Sequence, residues 1–575
     1  MFASDFKKHF IFIFKNIYKG DYMKVLLVGV NSKYIHTALA VNYIYGMCGN
    51  FDVEKLEFNI NQNLNYVYGE ILKRKAQVIL FSTYIWNIDY ISKLTSDLSQ
   101  VTDATIGWGG IESNFEIETH FKENSGLYII IRDEGELTVP DLLGALENKG
   151  DLKNVLGISY RDDNTIIHNP PRPLIKDLDI IPSPFVNIKC PPGKIIYYEM
   201  SRGCPFKCTF CMSSTIKGVR YFSSDRIKSD LLYIMDSGAK IVKLVDRTFN
   251  ANERESIEMM TFIRDNVKTD MVFHMELMAH LISDNFLEFL STLPKGLFQF
   301  EVGVQSSNPK TLEAIERRSD LDRLKYVVQK IRSFNNIHQH VDQIAGLPYE
   351  DYESFKDSFN YIYSLGAEKF QLGFLKVLRG SKIKAQAADH GIKFTTYAPY
   401  EVLETKYISA LELKRIKIIE DLVEKFSNED YFAHTLEYVI KDYKPFDFFE
   451  AMSVFWEENG YTKIGHSRDS LYEYFYEFLS DRADIKYIKE LLRLDFISNN
   501  RKNPPIFLNP QPVPLPVYHE LLGRADIRQL FDLDMNSPTK TLVKDFRFEY
   551  FDLDNKKILI GVKYKPAIMV KEIPL

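Results

Sequence analysis

From Met23 onward, short apolar runs alternate with segments of helical periodicity. Lys24–Val30 (KVLLVGV) is continuously apolar, as in a strand covered on both faces. A helix pattern through Leu39, Val41, Tyr43 and Ile44 follows. Gln77–Thr83 (QVILFST) is the next clear buried strand, and Ile88–Leu98 reads as helix. Ala104–Trp108 runs into Gly109-Gly110, and Leu127–Ile131 runs into Arg132-Asp133-Glu134-Gly135-Glu136. Strand–helix alternation with glycines and polar residues at the strand ends predicts an α/β fold: a doubly wound, Rossmann-like domain over 23–150 that binds ligands at those ends.

Residues 151–193 read as a connector, a hairpin at Gly157–Ile167 followed by Pro170, Pro171, Pro173, Pro182, Pro184, Pro191 and Pro192, which deny a continuous helix. Alternation resumes over 194–395. Strands are predicted at Lys194–Met200, Lys240–Val245, Val272–Glu276, Leu297–Val304, His340–Ile344 and Lys369–Leu375. Six βα units predict a partial parallel barrel with its chemistry at the strand C-termini. Residues 396–495 are helical in pattern and rich in Tyr and Phe. The tail, 496–575, returns to strands at Thr541–Tyr550 and Lys557–Tyr564 around a turn at Asp554-Asn555.

A chain of 575 residues is too long for one hydrophobic core, which agrees with several domains. Its 45% hydrophobic and 26% charged residues exclude a disordered or fibrous protein. Lys+Arg 72 against Asp+Glu 78 leaves no basic excess for a phosphate backbone, so nucleic acid is not an expected partner. No apolar stretch approaches the roughly 18–20 residues of a membrane helix, and no membrane partner is expected. Five cysteines cannot form a secreted disulfide framework at this length, and a reducing, cytoplasmic location is expected.

Residues 1–22 are read as translated leader, the alternative being a frayed, disordered N-terminal arm. The Phe10–Phe14 run is shorter than the roughly 7–15 residues of a signal-peptide core. Lys19-Gly20-Asp21 can be encoded by a bacterial ribosome-binding sequence just upstream of Met23. A native start at Met23 is therefore expected.

Three cysteines fall within one loop, Ser201-Arg202-Gly203-Cys204-Pro205-Phe206-Lys207-Cys208-Thr209-Phe210-Cys211, spaced C-x₃-C-x₂-C. Three thiolates can hold three corners of a cubane iron–sulfur cluster and leave one iron open to a ligand. A zinc site pairs two C-x₂-C units or adds histidines, and none lies nearby. Cys48 and Cys190 lie in other segments, where a lone cysteine is more often a small buried hydrophobe.

This spacing, with aromatic Phe210 before the last cysteine, resembles the defining motif of the radical S-adenosylmethionine (SAM) superfamily. The resemblance implies a 4Fe–4S cluster on Cys204, Cys208 and Cys211, with SAM on its open iron. Reductive cleavage of SAM then yields methionine and a 5′-deoxyadenosyl radical that abstracts hydrogen from carbon. Further strand-end residues match the superfamily's cofactor contacts. Asp246 ends the second barrel strand and resembles the position that meets the methionine amino group, although many members have Gly-Gly-Glu where this chain has Asp246-Arg247. Glu276 ends the third strand. Glu301-Val302-Gly303-Val304-Gln305-Ser306 is similar to a G-x-Q-S pattern, and Gln305, Arg317 and Asp342 have the spacing of the coproporphyrinogen-oxidase-like branch. A carboxylate suits an ammonium, an arginine a carboxylate, and Gln or Glu a ribose hydroxyl.

The preceding domain resembles the cobalamin-binding domain of cobalamin-dependent radical enzymes. The matching strand ends carry Ser82 and Thr83, then Gly109 and Gly110, then Glu134 and Gly135. Glycines allow close approach of a corrinoid, and hydroxyls supply hydrogen bonds. The cobalt-ligating D-x-H-x-x-G signature is absent. His36, after the first strand, reads more simply as a helix-start histidine than as a ligand.

The resemblance implies methylcobalamin as methyl donor to a substrate radical, hence methylation of an unactivated carbon, while related architectures cyclise, contract rings or rearrange. It also implies a reductant such as flavodoxin or ferredoxin, and an organic substrate that the sequence does not name. A radical SAM enzyme without cobalamin, its N-terminal domain a substrate platform, is the alternative; an iron–sulfur carrier has no use for the polar strand ends. Residues 396–575 resemble a poorly characterised C-terminal extension found in one clostridial-type group of these proteins.

Overall fold

The structure is a computed structural model that describes residues 23–574 apart from 187, 217 and 555. The expected leader, 1–22, lies outside the described residues. Two compact units emerge. One runs up to Phe355 and includes Leu365–Ala367 and Gly373–Ala410; the other comprises Lys356–Ser364, Glu368–Leu372 and Leu411–Leu575. The units interleave along the chain, so the expected break at 395 is not a clean cut.

The first unit opens with strands β1 (Lys24–Asn31), β2 (Asp52–Asn59), β3 (Val78–Ser82), β4 (Thr105–Gly109) and β5 (Ile129–Ile131), parallel in the order β2-β1-β3-β4-β5. Helices α1 (Leu39–Met47), α2 (Leu64–Leu72), α3 (Ile88–Ser99), α4 (Ile117–Glu123) and α5 (Gly135–Glu147) connect them. The continuous apolar runs divide by alternation. Leu26 and Val28 join Phe81, Ile106 and Trp108 in one core layer. Val25 and Leu27 join Leu80, Ile129 and Leu142 in the other. Burial on both faces is what a doubly wound sheet demands of its strands.

The sheet continues past residue 150. The predicted hairpin forms as β6 (Ile158–Asp162) and β7 (Thr165–His168), and β6 adds antiparallel to β5. Ile158 and Tyr160 are buried in the layer beneath α5, which makes this hairpin part of the sheet and not of a connector.

The second sheet runs β8 (Ile195–Tyr198), β11 (Ile241–Leu244), β12 (Val272–Leu277), β13 (Phe298–Gln305), β14 (His338–Ala345) and β15 (Lys369–Phe374), hydrogen-bonded in that order. This is the expected partial barrel, with pairing parallel wherever it is resolved from β8 to β14. In β13, Phe298, Phe300, Val302 and Val304 are buried, while Gln299, Glu301 and Gly303 occupy the alternate, more open positions. A separate two-stranded hairpin, β9 (Ser201–Cys204) and β10 (Gly218–Tyr221), carries the first cysteine and was not predicted.

The second unit carries most of the expected helices, among them Pro445–Glu458, Arg468–Phe478 and Ile485–Asn499. Three antiparallel strands, Phe546–Leu553, Lys556–Lys563 and Met569–Ile573, follow; the third had no counterpart in the sequence reading. The predicted strand at Thr541–Tyr550 begins five residues late because Thr539–Leu542 is helical. In the turn, Asp554 has φ +51° and Asn555 lies outside the described residues. Arg493, fully buried, sits 3.4 Å from equally buried Glu549 and over the Phe551 ring, joining helix to sheet.

Candidate active site at the cysteine loop

The β9–β10 hairpin sets the start of the cysteine loop. Gly203 has φ +103°, and a Cβ there would lie 2.1 Å from Gly218 O, so the turn into Cys204 requires glycine. Further along, Thr209 N donates to Ile315 O at 3.0 Å and Cys211 N to Cys208 O at 3.1 Å. All three thiols are free. Thr248 Oγ1 lies 3.5 Å from Cys204 Sγ, and Arg317 Nη1 lies 3.6 Å from Cys208 Sγ. Burial pushes the Cys208 thiol up, and the Arg317 charge and hydrogen bond pull it back.

Among the described residues, no three Cys, His, Asp or Glu side chains gather around one point as a single metal ion requires. A cubane asks something different, since each thiolate takes its own iron. Three free thiols on one loop, with a hydroxyl and a guanidinium against two of them, form a donor set that suits such a cluster.

Of the polar strand ends, Asp246 touches the entry to this loop. Asp246 is buried, and both its oxygens are engaged: Met200 N donates to Oδ2 at 3.0 Å and the Ser201 hydroxyl to Oδ1. Burial nevertheless raises its carboxyl to about 6. Through these two bonds Asp246 braces the entry to the cysteine loop. Burial also raises Glu276. Asp342 is raised well above the carboxylate range by burial and by the charges of Glu301 and Glu276, and its Oδ1 is buried without a partner. Gln305, only 8% exposed, has φ +75° and a buried Oε1 without a partner. A strained backbone and an unsatisfied amide oxygen together mark a site shaped for something besides its own packing.

Sequence reasoning missed a polar group beneath these positions. Glu301 lies 3.0 Å from His274 Nε2 and 3.3 Å from Lys243 Nζ, and despite burial those partners hold its carboxyl low, at about 2. Strict alternation of polar residues along β12 and β13 was the available signal.

A cavity of about 670 Å³ joins the two sheets' strand ends. Ser82, Gly109, Gly110, Glu134 and Gly135 line it from the N-terminal side; Phe210, Cys211 and Arg247 line it from the barrel side. Gly110 has φ +112°, and a Cβ would lie 2.4 Å from Thr83 O. Tyr84 and Trp86 stack at 4.4 Å on the cavity wall, a ring pair the sequence reading did not single out.

Two of the residues expected at the corrinoid have protein partners. Thr83 is fully buried, is not part of the cavity wall, and its hydroxyl lies 2.9 Å from both Gly109 O and Ser113 Oγ. Glu134 lies 3.0 Å from Arg202 Nη1 and 2.8 Å from Arg220 Nη2, and accepts from Ile175 N at 2.7 Å. Arg202 also bonds Glu136 and Glu199. Arg202 and Arg220 face each other across the β9–β10 hairpin. The Glu134-Gly135-Glu136 strand end therefore clasps the hairpin that carries Cys204. Burial raises Glu199 to about 7, against the pull of Arg202. His36 is occupied as well: its Nδ1 lies 2.5 Å from the Tyr197 hydroxyl, and burial with Lys33, Lys243 and Lys194 lowers its basicity.

Three family profiles match the chain: a B12 binding domain over 25–143, the radical SAM superfamily over 198–362, and a protein of unknown function, DUF4080, over 388–569. An uncharacterised methyltransferase of Pyrococcus horikoshii is 24% identical over 345 residues, which cover 57% of this chain and 73% of that protein. The cobalamin-dependent radical SAM methyltransferase TokK of Streptomyces tokunonensis is 23% identical over 324 residues, 52% of this chain and 47% of its own. The chain thus spans about half of TokK and most of the Pyrococcus protein. Among solved structures, TsrM of Kitasatospora setae with cobalamin and a 4Fe–4S cluster bound has a TM-score of 0.54 at 15% identity, over 65% of this chain and 78% of that one. OxsB with aqua-cobalamin and SAM bound has a TM-score of 0.57 at 13% identity, over 91% and 78%. These likenesses share the fold. The matched domains imply a 4Fe–4S cluster, SAM and cobalamin as cofactors. With a B12-binding sheet opening onto the same cavity as the cysteine loop of a radical SAM domain, the chain belongs to the cobalamin-binding-domain radical SAM enzymes and carries a DUF4080 domain at its C-terminal end.

Proposed function

We propose that this enzyme transfers a methyl group to an unactivated carbon of an organic substrate. One observation carries the reading: the cavity is walled jointly by the strand ends of the B12-binding sheet and by Phe210 and Cys211 of the cysteine loop. Bound there, the cluster with SAM supplies hydrogen abstraction and the corrinoid supplies a methyl group. Cys204, Cys208 and Cys211 hold the cluster. Gln305, Glu276 and Asp342 offer hydrogen-bonding groups to SAM, and Arg317 offers its guanidinium to the carboxylate. Ser82, Gly109, Gly110 and Gly135 let a corrinoid lie close to the backbone. Asp246 keeps the loop entry in place. The electron comes from a low-potential donor of the flavodoxin or ferredoxin kind.

The test is anaerobic reconstitution with iron, sulfide and hydroxocobalamin, followed by SAM carrying a labelled methyl group and a strong reductant. The expected result is bound corrinoid by absorbance, release of 5′-deoxyadenosine, and label on the corrinoid. Cys204→Ala, Cys208→Ala and Cys211→Ala should each lose cluster iron, whereas Cys48→Ala and Cys190→Ala keep it. Release of 5′-deoxyadenosine without corrinoid binding overturns the methyl-transfer reading. An intact cluster that never cleaves SAM overturns the enzymatic one.

A further inference from the structure

Arg317 follows the short helix Pro309–Ala314 and is 9% exposed. Its guanidinium meets two sulfurs and a carbonyl: Nη1 faces Cys208 Sγ at 3.6 Å, Nη2 faces Met278 Sδ at 3.2 Å, and Nη2 also donates to Gly303 O. Nε is buried without a partner. Among the described residues no carboxylate pairs with it, unlike the buried arginines Arg202 and Arg493. A cation held out of water needs an anion nearby, because hydrogen bonds to neutral atoms replace only part of its lost hydration. Among its hydrogen-bond partners, the one able to become an anion is the Cys208 thiol, which is one as soon as it ligates iron.

We propose that Arg317 sets the reduction potential of the cluster by donating to the Cys208 thiolate from its buried, unpaired guanidinium. The inference rests on the cluster reading above and goes beyond Arg317's expected contact with SAM. Reduction adds one electron from the low-potential donor to the cluster and neither forms nor breaks a bond. A fixed cation and an N–H···S bond beside a ligand stabilise the more negative, reduced cluster and so raise its potential.

The experiment is an EPR-monitored redox titration of the full reconstituted chain without SAM, comparing wild type, Arg317→Gln and Arg317→Lys. Arg317→Gln removes the charge and should move the midpoint to a more negative potential. Arg317→Lys keeps the charge but loses the fork geometry, and should fall between the two. An unchanged midpoint in Arg317→Gln, with cluster iron intact, overturns the proposal and leaves Arg317 to SAM alone. If Arg317→Gln fails to hold a cluster, Arg317→Lys decides, and a midpoint equal to wild type overturns it. Failure of the wild type to assemble a cluster strikes instead at the proposed function.

Discussion

Gly203 and Glu199 show how much a single position can decide near the cysteine loop. At Gly203, a methyl group would add steric conflict with Gly218 O to a left-handed backbone that other residues adopt only with strain of about 1–3 kcal/mol. Gly203→Ala should therefore lower both the melting temperature and the iron retained after reconstitution; unchanged iron would show that the loop tolerates a different entry. Glu199 has a pH signature. Burial holds its proton to about pH 7, above the ordinary 4.5. Below 4.5 both folded and unfolded forms are protonated, and this contribution to stability is fully present. As pH rises toward 7 the unfolded chain releases the proton first, so stability is lost through that window. Glu199→Gln should flatten the decline, as measured by denaturant midpoints between pH 5 and 8; parallel profiles would remove Glu199 from the account. The three cysteines of the loop stood out in the sequence because their spacing suits one chemistry. Glu199 did not, since nothing in a strand-end glutamate foretells that Arg202, Glu136 and Asp246 act on it.

At the scale of elements, alternation made the strands readable, and their neighbours decided what strand-end residues do. β1, β3 and β4 were visible as apolar runs because both faces are buried. β9 and β10 lack a signal because two four-residue strands holding Arg202 and Arg220 have no hydrophobic period. Glu134 and Gly135 follow the end of β5, as read, and Glu134 there pairs with Arg202 and Arg220 of the hairpin. Sequence cannot separate these roles, because an acidic strand end suits a ligand and an arginine equally well. Removing Glu134 strands Arg220 in a largely buried place with no other carboxylate among its resolved bonds. Breaking such a pair typically costs about 3–5 kcal/mol, whereas replacing both partners by apolar groups is often neutral. Glu134→Ala should accordingly destabilise the first unit strongly, and Glu134→Leu with Arg220→Met should recover most of the loss in thermal melts. Equal damage from the single and double changes would mean the clasp contributes through shape and not through charge.

For the whole molecule, the order of domains was legible and the shared cavity was not. Patterning separated a doubly wound sheet from a barrel, but no sequence feature announced that Gly109, Gly110, Phe210 and Cys211 would line one space. That convergence makes the tryptophans useful reporters. The chain has three: Trp108 and Trp456 are fully buried, whereas Trp86, stacked on Tyr84 at the cavity wall, is 43% exposed. Acrylamide in solution should therefore quench mainly Trp86. If a corrinoid occupies the cavity, it covers this ring pair, and the acrylamide-accessible fraction of the emission should vanish on adding hydroxocobalamin. Trp86→Phe should lack that fraction from the start while still binding the corrinoid, because a phenyl ring keeps the stack on Tyr84. Corrinoid binding that leaves Trp86 as accessible as before would place the corrinoid elsewhere on the B12-binding domain, and the joint cavity would then belong to the substrate alone.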